Sequence, residues 1–184
     1  MLRKLLIILY TGLVLGANAA QADVAAAQAV VAGDMRKLVF LAAPAPLPEV
    51  LLADLEGAER GLDEWRGRWV VLNFWATWCA PCRKEMPGLA RLAASSGDEG
   101  PVVVTIATGR NPLPAIKRFF DEIGVQNLPV LLDPKSTLAR QMAIFGLPVT
   151  LLLDPEGREV ARLTGDAEWD SPEARAVLGA LLRP

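Results

Sequence analysis

The 184-residue chain has no histidine and only two cysteines, and its acidic and basic residues nearly cancel, leaving a net charge of −2. Without histidine or further cysteines, a four-ligand zinc site cannot be built. A pI near 5.3 leaves no basic excess of the kind that neutralises phosphates, so no nucleic-acid partner is expected. Disulfide staples are scarce too. The two cysteines are separated by only two residues, and closing so small a ring is worth only about 2 kcal/mol, against about 3 for a fifteen-residue loop. Their spacing therefore points to chemistry rather than to stabilisation. Long repeats are also missing. Leu131-Leu132-Asp133-Pro134 and Leu152-Leu153-Asp154-Pro155 share a pattern, but two strand-ending turns account for it.

About half the residues are apolar, enough for one domain with a full core and an appendage. Met1 to Ala22 carries Arg3 and Lys4, then the apolar run Leu5 to Leu15, then small residues ending Ala17-Asn18-Ala19 and Ala20-Gln21-Ala22. That is the layout of a secretory signal, and a periplasmic location is expected. A stretch left uncut could instead hold the protein in the membrane as a short anchor. No cysteine follows the run, which excludes a lipid-modified N-terminus. Residues 23–48 are rich in alanine and end in Ala43-Pro44-Ala45-Pro46-Leu47-Pro48, which reads as a short helix and an extended tether. The folded domain is expected over 49–184.

Within that domain, Val50 to Asp54 and the segment around Leu62 to Trp65 read as a small hairpin or strand-turn-helix start. Trp69 to Trp75 is apolar on both alternating faces except at Asn73, as a central strand covered on both sides requires. From Pro81, residues Cys82, Met86, Leu89 and Ala93 recur at helical spacing, with Pro87 expected to kink the helix. A strand over Val102 to Ala107 follows. The next helix is read as capped by Asn111, begun by Pro112, striped by Ile116, Phe119, Phe120 and Ile123, and closed by Gly124. Then come a strand over Leu128 to Leu132, a helix over Ser136 to Phe145, a hairpin of Val149 to Leu153 with Arg158 to Leu163, and a helix from Pro172 to Leu182.

A strand leading into Cys79-Ala80-Pro81-Cys82 at a helix start places the first sulfur beside free N–H groups and the positive end of the helix dipole. Cys79 is therefore read as the nucleophile. Cys82 lies one turn inward, where it can attack a mixed disulfide and release the substrate, and Pro81 stiffens the turn between them. A metal half-site is the competing reading, but the chain offers no further ligands of the needed type. Trp69 and Trp75 read as ordinary core and Trp78 as a flank to the exposed sulfur, while Trp65 and Trp169 support nothing beyond packing.

Three segments carry a wider resemblance: Trp65-Arg66-Gly67, the run from Asn73 through Trp78-Cys79-Ala80-Pro81-Cys82 to Glu85-Met86-Pro87, and Gly146-Leu147-Pro148-Val149-Thr150. From about Pro48 onward the chain resembles the thioredoxin superfamily, and within it the TlpA-like thiol-disulfide interchange proteins. The resemblance implies an α/β thioredoxin-like fold: a central mixed sheet flanked by helices, with an N-terminal extension and an inserted strand-helix segment. It implies a cis Leu147–Pro148 peptide opposite the cysteines, where Leu147 backbone groups can pair with an extended substrate. Trp78, Ala80, Pro81, Leu147 and Pro148 then form an apolar contact surface for partner proteins. Thioredoxins proper carry a buried Asp where this chain has Asn73, which cannot exchange a proton. Glu85 is the candidate replacement, with a solvated surface glutamate as the alternative.

These features together predict a protein disulfide reductase without a cofactor, serving exported clients and recharged by a membrane electron donor. By resemblance, the clients include haem- or copper-binding cysteines of cytochromes and cytochrome oxidase. An oxidase or isomerase of the same fold is the nearest alternative, separated by reduction potential. A copper metallochaperone is another, although its relatives usually add a histidine. A peroxide-reducing activity is conceivable on this fold, but the setting for a peroxidatic cysteine is missing.

Overall fold

A computed structural model of the chain describes residues 24–182. Met1 to Ala22, read as a signal or anchor, lies outside them. Eight strands form one sheet in the order β1-β8-β7-β4-β5-β6-β2-β3. They are β1 (Leu38–Pro46), β2 (Leu51–Asp54), β3 (Glu59–Gly61), β4 (Val70–Trp75), β5 (Val102–Thr108), β6 (Val130–Asp133), β7 (Val149–Leu153) and β8 (Arg158–Thr164). The β4–β5 and β5–β6 pairs are parallel and the rest antiparallel, which makes the expected mixed sheet. Helices are α1 over 24–29, α2 (Ala80–Ser96), α3 (Leu113–Ile123), α4 (Thr137–Gln141) and α5 (Pro172–Leu181).

All six residues of β4 are buried, and their alternation divides the interior in two. Val71 and Trp75 join Cys82, Met86 and Leu89 of α2, Ile116 and Phe119 of α3, and Val177 and Leu178 of α5. Val70, Leu72 and Phe74 join Leu138 and Ala139 of α4, with Leu62 and Trp65 packed alongside. Asn73 is thus the polar residue on the face that meets α2. Among the described residues no helix is long and apolar enough to cross a membrane.

Three expectations need correction. The tether read over 23–48 is, from residue 24 onward, part of the folded body: Ala27 and Met35 are fully buried, and β1 pairs with β8 through Leu38↔Leu163 and Pro46↔Arg158. Its prolines are tolerated because β1 lies at the sheet margin, where a missing N–H costs little. Asn111 does not cap α3; Pro112 holds that position, with no side-chain cap. The helix read over Ser136 to Phe145 stops at Gln141, and Ala143 turns left-handed at φ 55°, sending the chain toward Leu147–Pro148. α2 is one continuous helix across Pro87, where the sequence predicts a kink, and Gly124 closes α3 as expected, at φ 67°, a conformation costly for a residue with a Cβ.

Candidate active site

The redox motif sits where β4 ends and α2 begins, at the carboxyl edge of the parallel strands, the side on which open α/β sheets place their chemistry. Cys79 is the N-cap of α2, and its Sγ accepts a hydrogen bond from the Cys82 N–H at 3.2 Å. The two cysteines form a disulfide. Cys82 is completely covered and Cys79 is 5 % exposed, so the small accessible part of the pair belongs to the N-terminal residue. Ala80 and Pro81 are exposed beside it, and Trp78 is 68 % exposed.

Leu147–Pro148 is a cis peptide, as the resemblance implies. Pro148 is buried, and Leu147 is half-buried against both cores, including the one containing Cys79 and Cys82. Pro148 O accepts from Gly165 N at 2.9 Å, whereas no other backbone group among the described residues engages the N–H or C=O of Leu147. Phe145, 85 % exposed two residues earlier, adds apolar surface that the sequence reading passed over.

Behind the disulfide, Glu85 lies on the buried side of α2, one turn past Cys82 and 2 % exposed, so the surface alternative is excluded. Its Oε1 accepts from Asn73 Nδ2 at 2.7 Å. Its Oε2 accepts from the Ala167 N–H and from Trp169 Nε1, both at 3.2 Å. Every donor is neutral, and among the described residues no cation lies within ion-pair distance. Burial outweighs the three hydrogen bonds and pushes the carboxyl from its usual 4.5 up to about 7, helped slightly by the charge of Asp166. Asn73 also donates to Thr150 Oγ1 at 2.9 Å, and with both amide hydrogens committed its Oδ1 is buried without a partner.

Trp169, read only as packing, thus supplies a donor to the carboxylate, as does the backbone at Ala167. Both lie more than eighty residues from Glu85, so no local pattern could reveal them. Trp75 packs on Phe119 and Phe120, at centroid distances of 4.6 and 5.2 Å, and stays in the core as read. No group of three or more acidic or cysteine side chains able to hold a metal occurs among the described residues.

A mixed sheet with a reactive cysteine pair capping the helix after a central strand defines a thiol-disulfide oxidoreductase of the thioredoxin fold. The chain belongs to the AhpC/TSA family, whose model matches residues 43–161. It is 33 % identical over 118 residues to the thiol-disulfide oxidoreductase ResA of Geobacillus thermodenitrificans, a match covering 64 % of this chain and 67 % of that protein. To ResA of Bacillus subtilis it is 36 % identical over 118 residues, covering 64 % and 65 %. Among solved structures it is similar to a putative thiol:disulfide interchange protein DsbE from Chlorobium tepidum, with a TM-score of 0.66, 26 % identity, and coverage of 75 % of this chain and 96 % of the other.

Proposed function

We propose that the protein works as a reductase of disulfides in exported proteins, with Cys79 as attacking sulfur, Cys82 as resolving sulfur and Glu85 as proton acceptor. One observation carries this reading: Glu85 is buried one turn behind Cys82 and held by neutral donors alone. A carboxyl that ionises near neutrality suits the transfer of a proton from a thiol. In the reduced enzyme the Cys79 thiolate attacks one sulfur of the client disulfide, and the other leaves as a thiolate. Cys82 passes its proton to Glu85 and attacks Cys79 Sγ, releasing the second client thiolate and restoring the enzyme disulfide. A dithiol donor at the membrane returns two electrons and two protons to the pair.

Ionised Glu85 disfavours a second negative charge nearby, which raises the thiol pKa values against the pull of the helix dipole. The reduced form then gains less from thiolate stabilisation, which makes the dithiol the better reductant. The free backbone of Leu147 supports edge pairing with an extended client segment, flanked by Trp78, Ala80, Pro81 and Pro148. The layout of Met1 to Ala22 supports action in the periplasm, either free or held at the membrane. The TlpA-like resemblance supports clients whose cysteines later bind haem or copper.

The test is trapping by the full-length Cys82→Ser variant in its native compartment, together with the potential of the unmodified protein. Mixed disulfides through Cys79 with exported proteins, and a potential well below that of strong oxidants such as DsbA at about −120 mV, are expected. A potential in the oxidant range transfers the reading to an oxidase of the same fold.

A further inference from the structure

Asn111, between β5 and α3, uses its side chain on the redox loop rather than on the helix it precedes. Its Oδ1 accepts from the Thr77 N–H at 2.8 Å and from Thr77 Oγ1 at 3.0 Å. Its Nδ2 donates to Thr108 O at 2.9 Å and Gly109 O at 3.2 Å. Two acceptor sites and two donor hydrogens are all that a carboxamide has, so the group is fully committed and its orientation fixed. Thr77 stands two residues before Cys79.

The loop is anchored in the core at Ala76 and Cys79, but the stretch at Thr77 and Trp78 has few other bonds. Both anchors are buried, but Thr77 is half-buried and Trp78, Ala80 and Pro81 are exposed, so apolar packing does not by itself fix the backbone at Thr77. The loop's own bond is the turn from the Cys79 N–H to Ala76 O at 3.1 Å. In the disulfide state the covalent ring from Cys79 to Cys82 adds a constraint. Reduction removes that ring, and the Cys79 sulfur must then stay beside the Cys82 N–H through non-covalent bonds alone.

We propose that Asn111 is a positioning residue for Cys79: by clamping Thr77 to the end of β5 it keeps the reduced sulfur at the N-terminus of α2, and so sustains its thiolate and its attack rate. The inference rests on Cys79 being the attacking sulfur. A thiol allowed to drift from the helix end loses the N–H and dipole contacts that favour its charge.

The experiment alkylates the reduced full-length protein with iodoacetamide across a range of pH, identifies the modified cysteine by mass spectrometry, and compares Asn111→Ala with Asn127→Ala. Asn127 is a matched control, because its side chain ties a loop to the Ala90 carbonyl of α2, well away from the disulfide. Asn111→Ala is expected to slow Cys79 alkylation at pH 7 about tenfold and move the midpoint of its pH profile up by about one pH unit. Asn127→Ala is expected to leave both unchanged. Should Asn111→Ala not fold, Thr77→Val removes only the hydroxyl bond, and a shift of the same sign, about threefold in rate, is expected. If a folded Asn111 or Thr77 variant matches the unmodified profile, Asn111 is merely structural and the proposal falls while the assignment of Cys79 stands. If Cys82 is the first sulfur modified in the unmodified protein, the assignment fails and takes the proposal with it.

Discussion

Among the described residues four acidic side chains are almost completely buried, and their company divides them. Glu159 meets the guanidinium of Arg162 through two bonds of 2.6 and 2.7 Å. Asp154 holds Arg158 Nε at 2.8 Å and the Arg158 N–H at 2.9 Å. Asp133 accepts from the Thr137 and Ala139 N–H groups at the start of α4. Those three buried carboxyls are met by a cation or by a helix N-terminus, the usual condition for a structural role. Glu85, beside the disulfide, has only an amide, an indole and one backbone N–H. The difference separates carboxyls tied into turns and strands by a cation or a helix start from one that stands beside the redox pair with neutral donors alone.

The most sensitive probe of that division is the resolving step. Glu85→Gln, measured by stopped-flow release of a trapped client, should slow resolution by roughly 10²–10³-fold while changing first attack much less. Glu159→Gln should leave both rates alone; equal effects of the two substitutions would erase the distinction.

Stability against pH is the next largest effect. The folded-state pKa of Glu85 is raised, so the native protein binds this proton more tightly than the unfolded chain does. Its contribution is fully present below about pH 4.5 and is lost as the pH rises through about 7. The window corresponds to about 3 kcal/mol. In denaturant titrations of the oxidised protein, the difference between the unmodified chain and Glu85→Gln should grow with that sign across the window. A constant difference would show that Glu85 keeps one charge state throughout.

A smaller effect is expected where a cation is present. Arg158→Met leaves the buried Asp154 carboxyl with one backbone donor, the residue-158 N–H. Because the guanidinium is partly solvent-exposed, the cost should be about 1 to 2 kcal/mol, less than for a sealed pair. The β7–β8 turn lies at the far end of β7 from Pro148, so thiol reactivity should not change. Chemical denaturation and the iodoacetamide rate check the two halves of this expectation.

What the sequence disclosed follows the range of the interactions. Cys79, Cys82 and the helix behind them form one continuous segment, and dipole and spacing arguments suffice there. Glu85 could be placed on the right side of α2 by the same periodicity, but its hydrogen-bond partners come from β4 and from the loop after β8. Asn111 shows the opposite failure: a local rule assigned it to the nearest helix end, and a tertiary contact with Thr77 claimed the side chain. The margin strand β1 was concealed for a related reason. Repeated prolines argue against a sheet interior but not against its outermost position, and composition alone does not say which position a strand will take.

That margin strand bears on how such a protein survives its surroundings. If its clients are incompletely folded exported proteins, as the proposed function implies, it meets many extended chains able to join a sheet edge. Among the described residues the two outermost strands are β1 and the three-residue β3. β1 breaks register between Phe40 and Ala45, and Pro44 and Pro46 offer no N–H, so an incoming strand finds an interrupted row of donors. β3 is too short to template a long pairing. The sheet is therefore poorly suited to recruit strands along its flanks, and the proposed backbone pairing with clients falls to the loop at Leu147, whose N–H and C=O carry no backbone partner among the described residues.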